Sequence, residues 1–585
     1  MNGLLATAVN AHQAGQWEQA RDIYLQILAL QPDHADALHL CGLIAFQNGD
    51  FAGAGDLINR AIAADPSVAL YLENLGRVAM AGNDHAGALA AWQKALELDP
   101  QSADIRSDIS GALLGLEQGE DAFQQVRNAL RIQPDHALAL MNKGLALVML
   151  GRVSPAIAAL EKASEKQPEN AAIWFQIGRL YQQIKDDEMA EVAYRNALKN
   201  APAHFEALNN LGNILHDQMR FEDAIAIYRQ AMKINSRQSD LHSNLGVALH
   251  ESGNAEAAID CYRTAIDIDP DNAEARRNLG MALLQSGAYA EGWAAYEWRW
   301  QTRHFKPVLR SWKQPRWQGE AAADKTILVH CEQGFGDSIQ FSRYLPRVAD
   351  RVGRVIVEAP AELAGLLGRI DGVFRVIVSG AALPDFDAHI PLLSLPYVFA
   401  TTEQTIPGMV PYLTADAEKA AFWKTRLARR AGEKLIGLAW KGSSAHQRNR
   451  MRSPGLAAFA PLFGLAPGYR FISLQKETGI HRPDFTGQSE RLEDHTSQLH
   501  SFDDTAALIV NLDAVVSPDT AVAHLAGALA AVSCIALPAN AEWRWPRDGR
   551  TSPWYPGATL FRGEPDGDWA SCVAGIKRQL MNLGR

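Results

Sequence analysis

Small residues and prolines recur at a fixed interval through the first half of the chain. Alanine holds one position of this pattern, glycine holds another, and a proline closes nearly every period. Because glycine and alanine let helices lie close together and proline ends a helix, each period predicts two packed helices and a turn. The period is 34 residues, with Ser236 at the one missing proline; the positions are Ala20, Ala54, Ala88, Ala122, Ala156, Ala190, Ala224 and Ala258, then Gly42, Gly76, Gly144, Gly178, Gly212, Gly246 and Gly280, then Pro32, Pro66, Pro100, Pro134, Pro168, Pro202 and Pro270.

A period of 34 residues is typical of tetratricopeptide repeats (TPR). One helix pair of this kind cannot bury its apolar stripe alone, so neighbouring repeats must stack. The pattern gives eight repeats over residues 1–272 and a partial ninth from Ala273. Residues 1–300 are therefore predicted to form an all-α TPR superhelix whose concave groove binds an acceptor protein.

Asparagine recurs at the sixth position of the repeat, which we expect to face the groove. Side-chain amides there would pair with the main chain of an extended peptide. The column resembles the asparagine ladder in the TPR arm of the nucleocytoplasmic O-linked N-acetylglucosamine transferase. The alternative is that asparagine is simply common at this place in TPR sequences. The column consists of Asn74, Asn142, Asn210, Asn244 and Asn278, with Asp108 and Gln176 at two intervening turns.

The second half alternates short β-branched runs with helical stretches, a pattern that predicts parallel sheets covered by helices. The predicted strands are Ile327 to His330, Val355 to Ala359, Leu435 to Trp440, Phe471 to Gln475, Asp513 to Ser517 and Val532 to Leu537, with a bridging helix around Ala415 to Glu433. After a connector at 301–324, two Rossmann-like α/β domains are expected at 325–420, on the acceptor side, and at 421–585, which binds a nucleotide sugar. Together they give an α + α/β protein with a GT-B module, whose ligand sites lie at the carboxyl ends of the strands.

The strand ending at His330 is followed by CEQGFGDSIQFSRYLP, in which Gly334 and Gly336 open a tight turn and Asp337 begins a helix. A carboxylate at this place can serve only as a helix cap. The turn resembles the opening motif of heptosyltransferase-like glycosyltransferases (family 9). That resemblance implies that Asp337 is the general base for an acceptor hydroxyl and that Gly336 lies against the donor.

The strand ending at Trp440 is followed by a loop that carries Lys441, Gly442 and Ser443, then His446, Arg448, Arg450 and Arg452. Cationic and hydroxyl donors just past a strand suit a diphosphate or phosphodiester, although a solvated basic loop is the alternative. The loop is similar to a run in TPR-fused family members, with two departures: Ser443-Ser444 replace Asn-Pro, and Arg448-Asn449 replace Asn-Asp.

A further strand ends in Ser473, Leu474, Gln475 and Lys476. The family resemblance implies that main-chain atoms of these residues contact the nucleotide base.

Pro518-Asp519-Thr520 precedes a helix that carries His524. The free amides and the positive end of such a helix form an anion site, to which Thr520 adds a hydroxyl. The alternatives are that Asp519 is a helix cap and His524 a core histidine. In heptosyltransferases the matching D-T-x-x-x-H-L pattern lies beside the donor phosphates, so the resemblance assigns Asp519, Thr520 and His524 to donor binding.

Composition and charge limit the remaining choices. The chain has 585 residues and a formal net charge of −10, with the acidic excess in the first 300 residues and a mild basic excess after them. The pattern contains no nucleic-acid-binding motif, no metal-ligand spacing and no apolar run long enough to span a bilayer. The five cysteines are scattered, which indicates buried thiols in a reducing compartment, and we therefore expect a soluble, cytoplasmic protein.

The resemblance covers nearly the whole chain and includes the tail ALPANAEWRWPRDGRTSPWYPGATLFR. It implies an inverting, metal-independent protein O-glycosyltransferase without a cofactor other than its nucleotide-sugar donor. TPR-fused relatives of the FlmG-like kind transfer nonulosonic acids, such as pseudaminic acid, from CMP donors to Ser or Thr of flagellin. Two alternatives stay open: a non-catalytic TPR scaffold or chaperone with a degenerate glycosyltransferase-like domain, and a glycolipid or heptosyl-type transferase.

Overall fold

The computed structural model describes residues 2–443, 449–465, 467–476, 492–565 and 567–583. The chain divides into two compact units, Met1–Ser236 and Arg237–Arg585. This division falls inside the predicted 1–300 repeat region, so the last helix pairs belong to the unit that also contains the sheets.

The first unit is entirely helical. Every odd-numbered helix packs against the next even-numbered helix, and successive pairs stack on one another. The helices are α1 (Asn2–Gln13), α2 (Trp17–Leu30), α3 (Ala35–Gln47), α4 (Phe51–Ala64), α5 (Ala69–Ala81), α6 (His85–Leu98), α7 (Ala103–Gly115), α8 (Gly119–Ile132), α9 (Ala137–Met149), α10 (Val153–Lys166), α11 (Ala171–Gln183), α12 (Asp187–Asn200), α13 (Phe205–Asp217) and α14 (Phe221–Ile234).

The periodic small residues sit where the two helices of a pair approach most closely. The periodic alanines from Ala20 to Ala224 are fully buried. On α13, a Cβ added to Gly212 would lie 2.4 Å from Cε1 of Tyr228 on α14, and Gly178 faces Tyr194 in the same way at 2.6 Å. The repeat glycines are therefore needed for space, because a ring of the partner helix occupies the volume that a side chain would take.

Replacing Gly212 with alanine is expected to destabilise the α13–α14 pair. The clash with buried Tyr228 outweighs the helix propensity that alanine adds, for a net loss of about 1–2 kcal/mol. Gly111, on α7, is the matched control, because its nearest atom would be 3.7 Å from an added Cβ. Gly111→Ala should be neutral or stabilising by up to about 1 kcal/mol. Hydrogen exchange at the amides of each helix pair measures both changes, and equal signs for the two variants would contradict this packing account.

The second unit begins with two more helix pairs, whose repeat pattern continues that of the first unit. They are α15 (Ser239–Glu251), α16 (Ala255–Ile268), α17 (Ala273–Gln285) and α18 (Tyr289–Tyr296). A connector with two 3₁₀ helices, Glu297–Gln301 and Lys306–Val308, leads to the first sheet.

The first sheet is four-stranded and wholly parallel, in the order β3-β2-β1-β4. Its strands are β1 (Ala322–His330), β2 (Val352–Ala359), β3 (Val373–Val378) and β4 (Ala388–Pro391). The helices that accompany it are α19 (Phe335–Phe341), α20 (Leu345–Ala349), α21 (Ala361–Leu367), α22 (Leu395–Val398) and α23 (Ala417–Leu427). The chain leaves β1 toward β2 on one side and returns on the other side at β4, so the order reverses beside β1.

The second sheet is six-stranded and also parallel, in the order β10-β9-β8-β5-β6-β7. Its strands are β5 (Lys434–Leu438), β6 (Tyr469–Ser473), β7 (Leu492–Glu493), β8 (Ala514–Pro518), β9 (Ser533–Leu537) and β10 (Ala558–Arg562). Its helices are α24 (Asn449–Arg452), α25 (Gly455–Ala458), α26 (Phe502–Ile509), α27 (Ala521–Ala528) and α28 (Ala570–Met581). The order reverses between β5 and β8, the kind of point at which open α/β sheets bind ligands.

One continuous apolar core joins the last helices to both sheets. It contains Trp293 of α18, Phe341 of α19 and Trp543 of the loop after β9. The ring of Trp543 lies 5.3 Å from that of Trp293, and the Gln285 side-chain amide donates to the Ala541 carbonyl at 2.8 Å. This shared core joins α17 and α18 to the sheets, and the side chains of Asn540 and Arg547 donate to the main-chain carbonyls of His250 and Gly253 at the end of α15.

Two expectations about the environment of the chain can be compared with the structure. Within the described ranges, none of the helices combines the length and apolar character needed to cross a bilayer. Of the five cysteines, Cys41, Cys534 and Cys572 are buried, whereas Cys261 and Cys331 are partly exposed.

Candidate functional site

The short helix α19 places Asp337 at its first turn. The Gly334 amide donates to Asp337 Oδ2 at 3.1 Å, so the carboxylate caps its own helix as a first-turn aspartate can. The other oxygen, Oδ1, pairs with the guanidinium of Arg544, which lies in the loop after β9. Asp337 therefore links the first sheet's half of the unit to the second sheet's half.

The strand β8 ends at Pro518 and leads directly into α27 through Asp519 and Thr520. The Asp519 carboxylate is buried, and its Oδ1 lies 3.6 Å from Nε2 of His524. Burial alone would raise the pKa of Asp519, but the hydrogen bond and charge of His524 and the charge of Arg452 outweigh it and lower that pKa. Asp519 is thus held ionised beneath the start of α27.

His524 is a packed residue that also faces Asp519. Its Nδ1 lies 2.9 Å from the Tyr555 hydroxyl, and its ring stacks on Trp545 with centroids 5.4 Å apart. His524 thus has the core role that the sequence left open as an alternative, and donor binding by His524 stays a prediction. The position of His524 brings α27 to the first sheet's half of the unit.

The amino end of α27 has no side chain that caps it. Thr520 is the N-cap residue, and its hydroxyl lies 2.9 Å from that of Ser517 instead of capping the helix. Ala521 and Val522, whose amides belong to the first turn, are only partly buried. Unpaired first-turn amides and the helix dipole favour an anion at this position.

The helices α19 and α27 are in direct contact, and Gly336 is the point of closest approach. A Cβ on Gly336 would lie 2.8 Å from Cδ2 of His524 and 3.6 Å from Cα of Ala521. Gly336 is therefore explained by helix packing. As a result, the residue proposed as base and the proposed phosphate site lie side by side.

Arg544 is a central residue of this site that the sequence analysis did not select. Its Nη1 lies 2.8 Å from Glu542 Oε2, and its guanidinium stacks over Trp543 at 4.5 Å. Burial alone would lower the pKa of Arg544, but the charges of Asp337 and Glu542 raise it above its usual value. The run EWRWPR, in which Arg544 stands between two tryptophans, could have indicated this residue from the sequence. An arginine in such surroundings is seldom an ordinary surface cation.

The loop after β5 approaches the same edge of the second sheet. The amides of Trp440 and Lys441 donate to Gln475 Oε1 at 3.1 and 2.9 Å, so the Gln475 side chain holds this loop. The Gly442 amide donates to the Ser453 hydroxyl at 3.0 Å. Lys441 and Ser443 are exposed. His446 and Arg448 lie outside the described residues, as does the side chain of Arg450.

The end of β6 is less accessible than the resemblance implied. Ser473 and Leu474 are buried, and the Leu474 amide already donates to the Leu438 carbonyl at 2.9 Å. Lys476 Nζ reaches the His500 carbonyl at 3.4 Å. The Leu474 amide therefore cannot contact a nucleotide base without leaving the sheet.

Two asparagines of the column, Asn74 and Asn142, form hydrogen bonds inside the repeat structure. Asn74 Nδ2 lies 2.8 Å from His39 Nε2, and Asn142 Nδ2 donates to the Ser107 carbonyl and the Ser110 hydroxyl, both at 2.9 Å. These partners belong to the preceding repeat. Contrary to the expectation, the side-chain amides of Asn74 and Asn142 are engaged by a neighbouring repeat and not left for a peptide. The reason is that buried polar groups between stacked repeats need hydrogen-bond partners.

The other members of the column vary in their surroundings. Asn210 Nδ2 donates to the Tyr194 hydroxyl at 3.2 Å, and the buried Asn278 accepts from Arg277 Nη2 at 3.1 Å. Asn244 is partly exposed. The column is therefore mixed, with Asn210 and Asn244 better placed than Asn74, Asn142 or Asn278 to meet a ligand.

Asp108 replaces asparagine in this column and gives a pH-dependent prediction. Burial raises the pKa of Asp108 to about 6, and the charges of Asp104 and Glu73 act in the same direction. The charges of Arg77 and His136 oppose this rise. Its ionised form therefore destabilises the fold above that pKa, and the penalty disappears below the unfolded-state pKa near 4.

Asp108→Asn should raise the free energy of unfolding by about 1–2 kcal/mol near neutral pH, an amount reduced for partial solvent exposure. The gain should shrink to nothing as the pH falls through about 6 to about 4. Asp33→Asn, at an exposed position, is the control and should show no such trend. Denaturation at a series of pH values measures the effect, and a pH-independent gain would contradict it.

Comparison with known families identifies the helical part of the chain. Family models match residues 5–69 and 69–102, each described as tetratricopeptide repeat, and residues 212–253 and 248–287, described as TPR repeat. A model of the Psidin N-terminal TPR repeats region matches residues 113–215. These matches agree with the period read from the sequence.

Individual proteins similar to this chain cover it only in part. Protein FlbA of Caulobacter vibrioides is 26% identical over 326 residues, which are 51% of this chain and 53% of that protein. The chain thus spans about half the length of this curated relative. Among solved structures, YrrB, a TPR protein with an unusual peptide-binding site, is 23% identical with a TM-score of 0.31 and covers 32% of this chain and 97% of its own. PilF of Pseudomonas aeruginosa is 19% identical with a TM-score of 0.33 and covers 36% and 96%. The family models show that the chain carries an N-terminal TPR region, which a C-terminal region of parallel sheets follows.

Proposed function

We propose that this protein is a protein O-glycosyltransferase whose TPR region binds the acceptor polypeptide and whose sheet-containing region transfers the sugar. The single observation that carries the proposal is the contact of α19 with α27. It brings the Asp337 carboxylate beside the amino end of a helix that suits a phosphate, with Gly336 and His524 in direct contact. Group transfer requires a base and a leaving-group site next to each other.

The arrangement of the two sheets supports a GT-B assignment. Each sheet is parallel and reverses its strand order at one point, and α19 and α27 both begin just past the carboxyl ends of strands. Facing α/β halves of this kind hold ligands in the cleft between those ends. We assign the acceptor to the first sheet's half and the nucleotide to the second sheet's half.

The proposed reaction is a single displacement with inversion. Asp337 accepts the proton of a Ser or Thr hydroxyl while the hydroxyl oxygen forms a bond to the anomeric carbon. The bond from that carbon to the phosphate oxygen breaks, and the leaving nucleotide takes the electron pair. The first-turn amides of α27, together with Thr520, Lys441 and Ser443, stabilise the negative charge of the leaving phosphate.

The narrower proposal concerns the substrates and rests on the family resemblance. We propose a CMP-linked nonulosonic acid, such as pseudaminic acid, as donor and flagellin as acceptor, with the reaction in the cytoplasm. No metal ion or further cofactor enters the proposed mechanism.

The scaffold alternative has one observation in its favour. Asp337 already has two partners, the Gly334 amide and Arg544, so its carboxylate is not poised to accept a proton as it stands. A protein that only assembles partners would need no free base. The two functions differ in whether a sugar is transferred at all.

Transfer is tested with the full chain, purified flagellin and a panel of CMP-, UDP- and ADP-linked sugars, followed by intact-mass analysis. The proposal predicts that flagellin gains the mass of the sugar with one class of donor. A parallel reaction with a glycolipid acceptor tests the alternative that the protein is a glycolipid transferase. Modification of the lipid alone would favour a glycolipid transferase, and no transfer together with no nucleotide-dependent rise in melting temperature would favour the scaffold.

A further inference from the structure

Arg544 is bound by a carboxylate from the other half of the unit. Its Nη2 pairs with Asp337 Oδ1 of α19, and its Nη1 lies 2.8 Å from Glu542 Oε2 in its own loop. The side chain is nine-tenths buried, and its guanidinium carbon lies 4.5 Å from the centroid of the Trp543 ring. A planar guanidinium held this way presents a fork of donors that matches any oxyanion, whether carboxylate or phosphate.

Three carboxylates act on this residue, and the charge of Arg452 acts on one of them, Asp519. Asp337 and Glu542 contact Arg544, and Asp519 is close enough for its negative charge to act on the same guanidinium. Three carboxylates would repel an anionic ligand at the start of α27, and Arg544 is the cation that contacts two of them. An anion entering this edge gains most by taking one of the existing partners' places on Arg544.

We propose that Arg544 is the anion receptor of this site and that an oxyanion of the donor, a phosphate or a sugar carboxylate, displaces Asp337 from it. This inference rests on the proposed function and deepens it. The Gly334 amide still holds Asp337 Oδ2 after the exchange, so the carboxylate keeps its place while Oδ1 is released. Donor binding then creates the free base, and the acceptor hydroxyl is activated only when a donor is present.

If the donor anion displaces Asp337 from Arg544, substitutions of these two residues should have opposite effects on anion affinity. Removing the competing carboxylate with Asp337→Asn should tighten the binding of CMP to the full chain by about three- to tenfold. Removing the receptor with Arg544→Gln should weaken it by about ten- to a hundredfold, as expected for charge-assisted hydrogen bonds. The double variant should bind nearly like Arg544→Gln, because Asp337 acts on the anion mainly by occupying Arg544.

Isothermal titration calorimetry with three probes measures these effects and separates the sources of the anion. CMP and inorganic pyrophosphate carry phosphate, whereas free N-acetylneuraminic acid carries only a sugar carboxylate. If the phosphate probes follow the predicted pattern, Arg544 binds the leaving group. If N-acetylneuraminic acid follows it, Arg544 binds an acidic sugar and determines donor specificity.

Two further variants control for folding. Arg470→Gln removes an arginine that pairs with Glu433 and Glu493 at the opposite, amino end of the same sheet, and it should leave probe binding unchanged. Arg544→Lys keeps the charge without the fork, so its affinity should fall between those of wild type and Arg544→Gln.

The outcomes distinguish this inference from the proposed function. Wild-type binding of CMP that neither Asp337→Asn nor Arg544→Gln changes would overturn the receptor role and leave the transferase proposal standing. Failure of the wild-type chain to bind any of the three probes, or any nucleotide sugar of the transfer panel, would overturn both.

Discussion

Replacing Asp337 with asparagine is expected to reduce sugar transfer by a factor of about 10² to 10⁴, the usual contribution of a general base. The loss should appear in kcat, because asparagine preserves the shape of the side chain but has no basic oxygen to take the hydroxyl proton. The KM for the polypeptide acceptor should change little. Initial rates measured by intact mass at varied acceptor concentration give both constants.

Asp513→Asn is the matched control for this substitution. Asp513 is also an aspartate paired with an arginine, Arg429 at 3.0 Å, but it lies at the amino end of β8, away from the ligand edge. Its substitution should leave kcat unchanged. If Asp337→Asn retained more than about a tenth of wild-type kcat, the base would have to be another carboxyl.

Glu332 would then be the next candidate for the base. It follows β1 directly, its side chain is 6% exposed, and its Oε2 is buried without a hydrogen-bond partner. Burial raises the pKa of the Glu332 carboxyl. The charge of Arg299 and the hydrogen bond that Arg299 donates offset part of this rise. A larger loss of kcat in Glu332→Gln than in Asp337→Asn would move the base assignment to Glu332.

Replacing Trp543 with alanine is expected to destabilise the second unit by about 3–5 kcal/mol, as for other large core aromatics. Trp543 is buried and its ring meets those of Trp293, Tyr296 and Phe341, which come from the last repeat helices and from α19. The cavity left by alanine would therefore separate three elements at once. Urea unfolding monitored by hydrogen exchange should show the loss in α17, α18 and α19 together.

Trp17→Ala provides the control for the same chemical change. Trp17 is 43% exposed at the start of α2, so its removal should cost less than about 1 kcal/mol. Trp543→Phe should recover part of the loss by keeping an aromatic ring in the core. Loss of protection confined to the loop after β9 would contradict the account in which Trp543 joins the last helices to the sheets.

The repeat region could be predicted from sequence because its packing is local and periodic. Gly212 and Tyr228 meet within one helix pair, so the same spacing recurs at every repeat and is visible as a register. The division after Ser236 could not be predicted in this way. It depends on contacts such as that of Trp293 with Trp543, which lie far apart in the chain.

Several strands were also predictable, because buried parallel strands read as short β-branched runs. The predicted runs beginning at Ile327, Val355, Leu435 and Phe471 fall on β1, β2, β5 and β6 within a few residues. The four edge strands, β3, β4, β7 and β10, were not predicted. The burial of β3 is interrupted at Phe374 and Val378, which are exposed, so its pattern is weak.

Only those site residues that belong to a local sequence motif could be predicted. Asp337, Thr520 and His524 were selected because each stands at a strand-to-helix turn, and the structure brings their helices together. Arg544 was missed because its partner Asp337 lies 207 residues earlier in the chain. The bonds of Asn74 and Asn142 to the preceding repeat were likewise invisible, because position in a repeat does not reveal which neighbour satisfies an amide.

The central claim is that the edge formed by α19 and α27 binds the phosphate of a nucleotide sugar. A crystal structure of the full chain with CMP tests it most directly. The account predicts phosphate oxygens about 3 Å from the main-chain nitrogens of Ala521, Val522 or Ala523, with the Arg544 guanidinium turned from Asp337 toward the ligand. CMP bound elsewhere, with the start of α27 empty and the Arg544–Asp337 pair intact, would contradict it.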